Sequence, residues 1–265
     1  MFEKPIHRID SLIFGGAIRR YSDRRRLSRR VDKLTDGLGY SMTTFYAKNV
    51  DDEIAVLCDL HGSDKGSVSA GSHAYYWNPH TFADLYSRLF RHCRQDVRKV
   101  FECGLGTNNP DIPSSMGARG KPGASLRVWR DYFPNAMVYG ADIDRDILFS
   151  EERIKTFYVD QLDPRAITAF WSEVGEADFD LMIDDGLHTF EAGSTLFLHS
   201  IDRLSASGIY VIEDVTLADL LKFKSFFQGR DYVVEYVVLH RPDTLLGDNS
   251  MIIVRRSTRA GGTLR

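Results

Sequence analysis

The chain has 265 residues, of which 43% are hydrophobic and 27% charged, proportions typical of a globular protein with one large domain or one domain and an appendage. Its formal net charge of −3 provides no overall attraction to nucleic acid or to an anionic membrane. No apolar run approaches the roughly 20 residues of a membrane-spanning helix, and we expect no signal peptide. The three cysteines show neither metal-type spacing nor a disulfide framework, so we expect a cytoplasmic protein without nucleic-acid or membrane partners.

Residues 1–50, here called the basic N-terminal arm, differ in composition from the rest of the chain. Seven arginines fall at positions 19, 20, 24, 25, 26, 29 and 30. Such clusters form solvated helices or mobile arms, or they contact nucleic acid, lipid headgroups or an acidic patch on a partner subunit. We favour the solvated or mobile arm because short basic clusters are common on surfaces. The arginines also lack a neighbouring aromatic platform on which single-stranded nucleic acid would stack.

Residues 51–96 predict a helical cap. A first helix is expected after Asp52, and Thr81 is expected to cap a second helix whose apolar side chains share one face. These two helices precede the part of the chain in which strands begin.

A polar turn at 61–66 and an aromatic run at 73–80 separate the two predicted helices. Ser, Asp, Lys and His in one turn are more than a turn requires, so the turn and the aromatic run are candidates to cover an active site. In this interpretation Ser63, Lys65 and Tyr76 are candidate substrate contacts. The alternative is that the aromatic side chains belong to the core of a helical layer.

From residue 97 onwards strands alternate with helices, which predicts an α/β fold with a doubly wound, mostly parallel sheet. We expect seven strands, of which the last two form an antiparallel hairpin at the sheet edge. This domain spans 97–256 and a tail follows at 257–265. The predicted strands cover 97–103, 137–143, 154–159, a run from 179, 207–214, 232–240 and 250–255, and the predicted helices cover 125–133, 164–174, a segment after His188 with Phe190, Phe197, Ile201 and Leu204, and 217–227.

The first strand of this domain runs into a glycine-containing turn. Glycine lets the backbone approach a ligand closely, so Gly104 and Gly106, with the preceding Glu102, are candidate cofactor residues. Asn109 replaces the third glycine of a dinucleotide fingerprint, and the long loop at 107–123 delays the next helix. Both features argue against a pyrophosphate seated on a helix N-terminus.

The following strands also end in polar residues. Asp142, beside Ile143, is placed to accept the hydroxyls of a ribose, and Asp160 with Gln161 is placed to meet an adenine edge. Each residue alone is explained by a turn or a helix cap, but their order over consecutive strands indicates a nucleoside-bearing cofactor with little phosphate. S-adenosylmethionine fits this pattern better than NAD. Asp184, at the end of the next strand, joins the candidate cofactor residues.

Two further strands end in carboxylates. The run from 179 ends in Asp184 and Asp185, followed by His188, and the next strand ends in Glu213 and Asp214. Because ligands bind outside the carboxyl ends of strands in open α/β sheets, this convergence predicts a divalent metal and a general base. The alternative is that the first two acids cap the following helix and that the histidine packs in its first turn. Capping does not explain the second pair of acids.

These motifs together resemble those of class I S-adenosylmethionine-dependent methyltransferases. The resemblance is closest to the Mg-dependent O-methyltransferases that act on sugar hydroxyls of natural products, such as the macrolide-sugar enzymes of mycinamicin and macrocin type, and it spans about residues 60–255. The motifs that carry it are Phe101-Glu102-Cys103-Gly104-Leu105-Gly106, Ser125 to Phe133, Tyr139 to Asp144, Ile183-Asp184-Asp185-Gly186-Leu187-His188 and Ile212-Glu213-Asp214.

The resemblance implies a role for each acid at these strand ends. Asp185, Glu213 and Asp214 would bind Mg²⁺, which prefers oxygen ligands and keeps positions open for a substrate diol. His188 would act as the base that deprotonates the acceptor hydroxyl, with Asp185 beside it in the catalytic set. The domain at 97–256 would be the methyltransferase domain, with S-adenosylmethionine and Mg as cofactors and a sugar or other polyol-bearing small molecule as acceptor.

Several alternatives remain open at this point. The chain could be a non-catalytic module that binds a partner through its basic arm, or a nicotinamide-dependent oxidoreductase, which the missing third glycine argues against. Within the methyltransferase interpretation, the acceptor could be a catechol, a carboxylate or a nitrogen. The loop at 107–123 is the best lid candidate, and its Arg119 is a candidate contact to an anionic substrate. A homo-oligomer is plausible.

Overall fold

The computed structural model describes residues 52–69, 73–240 and 246–257, the backbone of the strand at 41–45, and residues 21, 22, 25, 26, 29, 32 and 36. Predictions for the rest of the basic N-terminal arm, and for the tail beyond 257, lie outside the described residues. In the described part of the chain no helix combines the length and the apolar character needed to cross a membrane.

From residue 41 onwards the described elements are six helices and nine strands. The helices are α1 Glu53–His61, α2 Phe82–Phe90, α3 Ala124–Tyr132, α4 Pro164–Val174, α5 Phe190–Ser200 and α6 Leu217–Phe227. The strands are β1 Ser41–Phe45, β2 Lys99–Cys103, β3 Met137–Asp142, β4 Ser150–Glu151, β5 Ile154–Tyr158, β6 Phe179–Asp184, β7 Leu204–Ile212, β8 Tyr232–His240 and β9 Ser250–Arg256.

The described strands form one sheet in the order β1-β8-β9-β7-β6-β2-β3-β5-β4. The strands from β7 to β5 pair in parallel, whereas β9 pairs antiparallel with both β7 and β8. The predicted doubly wound, mostly parallel seven-stranded sheet with an antiparallel C-terminal hairpin is therefore confirmed. Two additional short strands extend it, since β1 pairs in parallel with β8 and β4 pairs antiparallel with β5.

The expected position of the hairpin at the sheet edge is wrong. Strand β9 lies between β7 and β8, and β1 covers the outer side of β8. Four consecutive residues of β9, from Met251 to Val254, are completely buried. A strand that buries both of its faces under helices belongs in the interior of a sheet.

Helices cover both faces of the sheet. Helices α4, α5 and α6 bury one core, which includes Phe101 and Trp171, and helices α1, α2 and α3 bury the other, which includes Val100 and Trp129. The adjacent residues Val100 and Phe101 supply opposite cores because successive side chains of a strand point to opposite faces. The two helices predicted as a cap thus share their core with α3 on one face of the sheet.

Two local predictions differ from the structure. Helix α5 ends at Ser200, a 3-10 turn covers Ile201 to Arg203, and Leu204 begins β7 instead of extending the helix. Both apolar residues are buried in the same core as the helix, so their spacing fits a helix although the backbone has left it. Thr81 precedes α2 without capping it, because its hydroxyl accepts a hydrogen bond from the amide of Asn249 at 2.9 Å.

The aromatic core generates a prediction about stability. Trp171 packs against Phe101, Phe170 and Phe179, and its indole N–H donates to the Ser200 hydroxyl at 2.8 Å. We expect Trp171→Ala to lower the free energy of unfolding by about 3–5 kcal/mol, because the change leaves a large buried cavity.

The control is Ser200→Ala, which removes only the acceptor of the buried N–H and is expected to cost about 1–3 kcal/mol. Urea denaturation followed by circular dichroism measures both variants. Equal losses would contradict the assignment of the larger effect to packing.

Candidate active site

A cavity of about 530 Å³ opens where β2, β3, β5, β6 and β7 end, the edge at which ligands bind in open α/β sheets. The loop at 107–123 supplies part of its wall. The predicted site residues that line the cavity are Gly104, Gly106, Asp142, Ile143, Asp160, Gln161, Asp185, His188 and Asp214. Those that do not line it are Glu102, Asp184, Glu213, Ser63, Lys65, Tyr76 and Arg119.

The turn after β2 is shaped by its glycines. Gly104 has a φ of +96°, and a Cβ placed on it would lie 2.0 Å from the carbonyl oxygen of Asp185. Gly106 has a φ of +73°, and its Cβ would lie 2.8 Å from the Met116 side chain in the loop at 107–123. Only glycine adopts this conformation at so close an approach without strain.

Asp142 connects two turns in the part of the cavity that is here called the cofactor half. The cofactor half contains the lining residues predicted to contact a cofactor, which are Gly104, Gly106, Asp142, Ile143, Asp160 and Gln161. The Asp142 carboxylate accepts the backbone N–H of Leu105 at 2.7 Å and that of Asp144 at 2.9 Å, so it joins the turns that follow β2 and β3. Burial raises the pKa of Asp142. Ile143 beside it is half exposed, and Asp160 lies on the cavity wall at the end of β5.

Gln161 connects the ends of β5 and β6. Its amide donates to Asp184 at 2.5 Å and accepts the backbone N–H of Leu187 at 3.0 Å. Asp184 lies beneath the cavity, where burial raises its pKa to about 6. A Cβ on Gly186 would lie 2.3 Å from the Gln161 side chain, so this glycine lets the bridge form.

Asp185, His188 and Asp214 form the acidic half of the cavity. The His188 Nε2 atom lies 3.3 Å from one oxygen of Asp185 and 3.4 Å from one oxygen of Asp214. Among the described residues, these three side chains are the group of potential metal ligands whose atoms all lie within 4.8 Å of one another. The convergence that the two strand ends predict is therefore present for Asp185 and Asp214.

The backbone around this group is strained. His188 and Asp214 have φ values of +57° and +52°, in the left-handed region that side chains disfavour. Such conformations cost of order 1–3 kcal/mol and persist where the surrounding structure imposes them. Thr189, rather than either acid, caps α5 by accepting the N–H of Ala192 at 3.3 Å. The capping alternative for Asp185 is therefore wrong.

The charges of the acidic half depend on one another. Burial lowers the pKa of His188, but the negative charges of Asp214 and Asp185 have the larger effect and raise this pKa to about 10. Burial also opposes a charge on Asp185, but Lys65 and His188 hold its pKa well below the usual range. Burial raises the pKa of Asp214 to about 6. The imidazole is thus protonated at neutral pH while both carboxylates are its counter-ions.

A buried ion cluster lies behind this group. The Lys65 ammonium is 2.6 Å from Asp185 and 3.2 Å from Glu102, and it also bonds to Glu213. Burial opposes its charge, but these carboxylates keep the pKa of Lys65 well above its usual value. Burial raises the pKa of Glu213 to about 8, and Glu102 also accepts the indole N–H of Trp129. Glu102, Glu213 and Lys65 thus face one another and not the cavity.

Four residues of the cavity lining beyond His188 are absent from the predicted site residues, although Asp64 belongs to the predicted polar turn and Trp77 and His80 to the aromatic run. Asp64 accepts the indole N–H of Trp77 at 2.7 Å, and His80 lies 3.1 Å from Asp214 and 3.5 Å from Asp248. The turn at 61–66 and the aromatic run indicated this region, but they led to Ser63, Lys65 and Tyr76 instead. Tyr76 is 86% exposed and does not line the cavity. Only the fold brings these residues next to the strand ends.

The donor set of the acidic half fits a divalent cation. Asp185 and Asp214 offer carboxylate oxygens, the ligands that Mg²⁺ prefers, on the wall of a cavity with room for waters or substrate oxygens. One oxygen of Asp214 makes no hydrogen bond in the described structure, although the His80 Nε2 atom lies 3.1 Å from it. A buried oxygen without a hydrogen bond is expected to be satisfied by an ion or a water.

The sequence of this chain is similar to those of several curated enzymes. The chain matches no family model. It is similar to the 8-demethyl-8-alpha-L-rhamnosyl tetracenomycin-C 2'-O-methyltransferase of Streptomyces olivaceus, 33% identical over 162 residues that cover 61% of this chain and 37% of that protein. It is also similar to the demethylmacrocin O-methyltransferase of Streptomyces fradiae, 31% identical over 187 residues that cover 69% of this chain and 45% of that protein.

A third relative is the mycinamicin VI 2''-O-methyltransferase of Micromonospora griseorubida, 33% identical over 162 residues that cover 59% of this chain and 38% of that protein. The chain therefore spans less than half the length of these curated relatives. All three are named as O-methyltransferases, so the resemblance that the motifs indicate is confirmed.

Solved structures confirm the fold. MycE, a methyltransferase from the mycinamycin biosynthetic pathway solved in complex with Mg and SAH, matches with a TM-score of 0.56 at 24% identity, over 79% of this chain and 56% of that chain. MycE in complex with Mg, SAH and mycinamycin VI matches with a TM-score of 0.55 over the same shares. This chain thus shares the Rossmann-like fold of these two structures.

The close approach at Gly104 generates a prediction. We expect Gly104→Ala to lower the free energy of unfolding by more than about 3 kcal/mol, because a left-handed backbone costs about 1–2 kcal/mol and the backbone collision adds to it. Gly117→Ala is the matched control, since Gly117 has a φ of +73° but open space around its Cβ position. Urea denaturation measures both variants, and equal losses would refute the role of the collision.

Proposed function

We propose that the chain is an O-methyltransferase that depends on S-adenosylmethionine and Mg²⁺ and acts on a sugar hydroxyl of a small molecule. The observation that carries the proposal is the placement of Asp185, His188 and Asp214 on the same cavity as Gly104 and Asp142. A metal-ligand group, an imidazole and a nucleoside-type pocket thus meet in one site. The similarity to named sugar O-methyltransferases supports this assignment.

The cofactor half is proposed to bind S-adenosylmethionine, which supplies an electrophilic methyl group on a sulfonium. Asp142 would accept the ribose hydroxyls while its backbone hydrogen bonds hold it in place. Asp160 and Gln161 would lie near the adenine, and the exposed side chain of Ile143 would pack on the cofactor. The backbone of Gly104 and Gly106 lines the cavity and would lie beside the cofactor.

The acidic half is proposed to bind the ion through Asp185 and Asp214. A bound Mg²⁺ would supply positive charge that orients the acceptor and lowers the pKa of its hydroxyl. Asp185 and Asp214 would then hold a proton on the His188 Nε2 atom less strongly, because their negative charge would be partly neutralised. The His188 Nε2 atom would therefore be able to accept the hydroxyl proton. General-base catalysis of this kind contributes typically ~10²–10⁴-fold to the rate.

The acceptor is proposed to lie against the wall formed by Asp64, Trp77, His80 and Asp248. An indole face and carboxylates together suit a sugar, which has apolar C–H faces and hydroxyl donors. These residues come from the chain around the helical cap and from the β8–β9 connection, so the domain at 97–256 would provide the transfer chemistry and residues 51–96 part of the acceptor site.

Cofactor binding is the first test. We expect S-adenosylhomocysteine to bind in calorimetry with micromolar affinity both with Mg²⁺ and with EDTA, because the ion is assigned to the acceptor and not to the cofactor. We expect Asp142→Asn to weaken binding at least about tenfold, the equivalent of one lost charge-assisted hydrogen bond of 1.4 kcal/mol. The control is Asp146→Asn, an exposed position off the cavity. No binding by the wild-type chain would exclude the methyltransferase proposal.

Transfer itself is the second test. With labelled S-adenosylmethionine and an L-rhamnosyl glycoside as probe acceptor, we expect His188→Gln and Asp185→Asn to lower turnover by at least about 10²-fold while the affinity for S-adenosylhomocysteine stays within about threefold. The exposed helix residue His199, changed to Gln, is the control. EDTA should abolish transfer and excess Mg²⁺ should restore it. Full activity in EDTA would refute the role of the metal.

A further inference from the structure

We propose that Lys65 is a positioning residue of the metal site, which engages Glu213 and one oxygen of Asp185 so that the ion is bound by Asp185 and Asp214 alone. The inference rests on the proposed metal-dependent function. It assigns Glu213 to a supporting position, whereas the resemblance to the sugar O-methyltransferases implies that Glu213 is a ligand. The two assignments lead to opposite results when Lys65 is removed.

The side chain of Lys65 is fixed within the protein. It is 2% exposed, and its ammonium lies 2.6 Å from the Oδ2 atom of Asp185 and 3.2 Å from the Oε1 atom of Glu102. The Oε2 atom of Glu213 is its third partner. The ammonium donates hydrogen bonds to Asp185 and Glu213, and Glu102 is an ion-pair partner that makes no hydrogen bond to it.

The backbone of Lys65 is held by two helices. Gly62 ends α1 with a φ of +91° and donates its N–H to the Cys58 carbonyl at 2.7 Å. The carbonyl of Lys65 accepts the N–H of Ala83, in the first turn of α2, at 2.9 Å. A Cβ on Gly66 would lie 2.5 Å from the Cβ of Ala83, so the turn lies directly on this helix. The ammonium therefore has little freedom to leave the cluster.

Both oxygens of Glu213 are engaged away from the cavity. The Tyr86 hydroxyl donates to Oε1 at 2.6 Å, and Lys65 donates to Oε2. The side chain is 1% exposed. Its neighbour Asp214 has a different environment, because it lines the cavity and its two oxygens lie 3.4 Å from His188 and 3.1 Å from His80. Of the two consecutive acids after β7, Glu213 thus belongs to the buried ion cluster around Lys65 and Asp214 belongs to the cavity wall.

Lys65 also determines how Asp185 is presented. The ammonium binds Oδ2, and Oδ1 is the oxygen nearest to His188. Residues that orient a metal-binding carboxylate in this way typically contribute 10–100-fold to metal affinity. We therefore expect that removing Lys65 weakens metal binding, although it removes a positive charge from the neighbourhood of a cation.

The experiment measures Mn²⁺ binding to the full chain, without S-adenosylmethionine or acceptor, from the electron paramagnetic resonance signal of free Mn²⁺. We expect Lys65→Met to weaken binding 10–100-fold. If Glu213 is a ligand and Lys65 only a competing cation, the same change should strengthen binding, since it frees a carboxylate and removes a repulsive charge. Stronger or unchanged binding would overturn the proposal.

A second set of variants decides the question if Lys65→Met fails to fold. Asp214→Asn removes a proposed ligand and should abolish measurable binding, whereas Glu213→Gln keeps the shape of the supporting side chain and should retain it. Tyr86→Phe, which removes one hydrogen bond to Glu213, is the control. Loss of binding by Glu213→Gln as complete as that by Asp214→Asn would overturn the proposal. Absence of Mn²⁺ binding by the wild-type chain would instead refute the proposed metal dependence itself.

Discussion

The carboxyl ends of β2 and β6 approach each other so closely that the backbone of one strand occupies the space of a side chain on the other. Gly104 lies against the carbonyl of Asp185, and the N–H of Asp185 donates to the carbonyl of Cys103 at 2.9 Å. Because of this contact, the turn that faces the proposed cofactor and the turn that carries the proposed metal-binding acid share one wall. The rest of the site is arranged around that shared wall.

The acids of this edge differ in the partners that hold them. Asp142 is engaged by backbone N–H groups, Asp184 by the amide of Gln161, and Glu213 by Lys65 and Tyr86. Asp214, on the cavity wall, lies within ion-pair distance of His80 and His188. A row of carboxylates at neighbouring strand ends would repel one another if all were equally exposed. Because each carboxylate has its own partner, several carboxylates can lie close together at this buried edge of the sheet.

The strand and helix pattern from residue 97 onwards was predictable, because apolar periodicity and strand-end acids are local signals. The positions of Asp142, Asp185 and Asp214 on one cavity followed from the rule for parallel sheets. The sequence indicated that the turn at 61–66 and the aromatic run at 73–80 cover the site, but it did not show which of their side chains line the cavity. Trp77 and His80 line it, whereas Tyr76 does not, because that selection depends on how this segment packs in the fold. The partners of Glu213 were equally hidden, because its contact with Lys65 joins residues 148 positions apart.

The insertion of β9 between β7 and β8 has a consequence for the order of folding. In the described sheet, β8 reaches the parallel strands only through β9, and β1 reaches them only through β8. During synthesis, when the N-terminal part of a chain emerges first, neither strand can join the sheet until residues 250–256 have left the ribosome. Asn249, immediately before β9, also holds the residue that precedes α2. The wall proposed for the acceptor is therefore completed only after β9 has been synthesised.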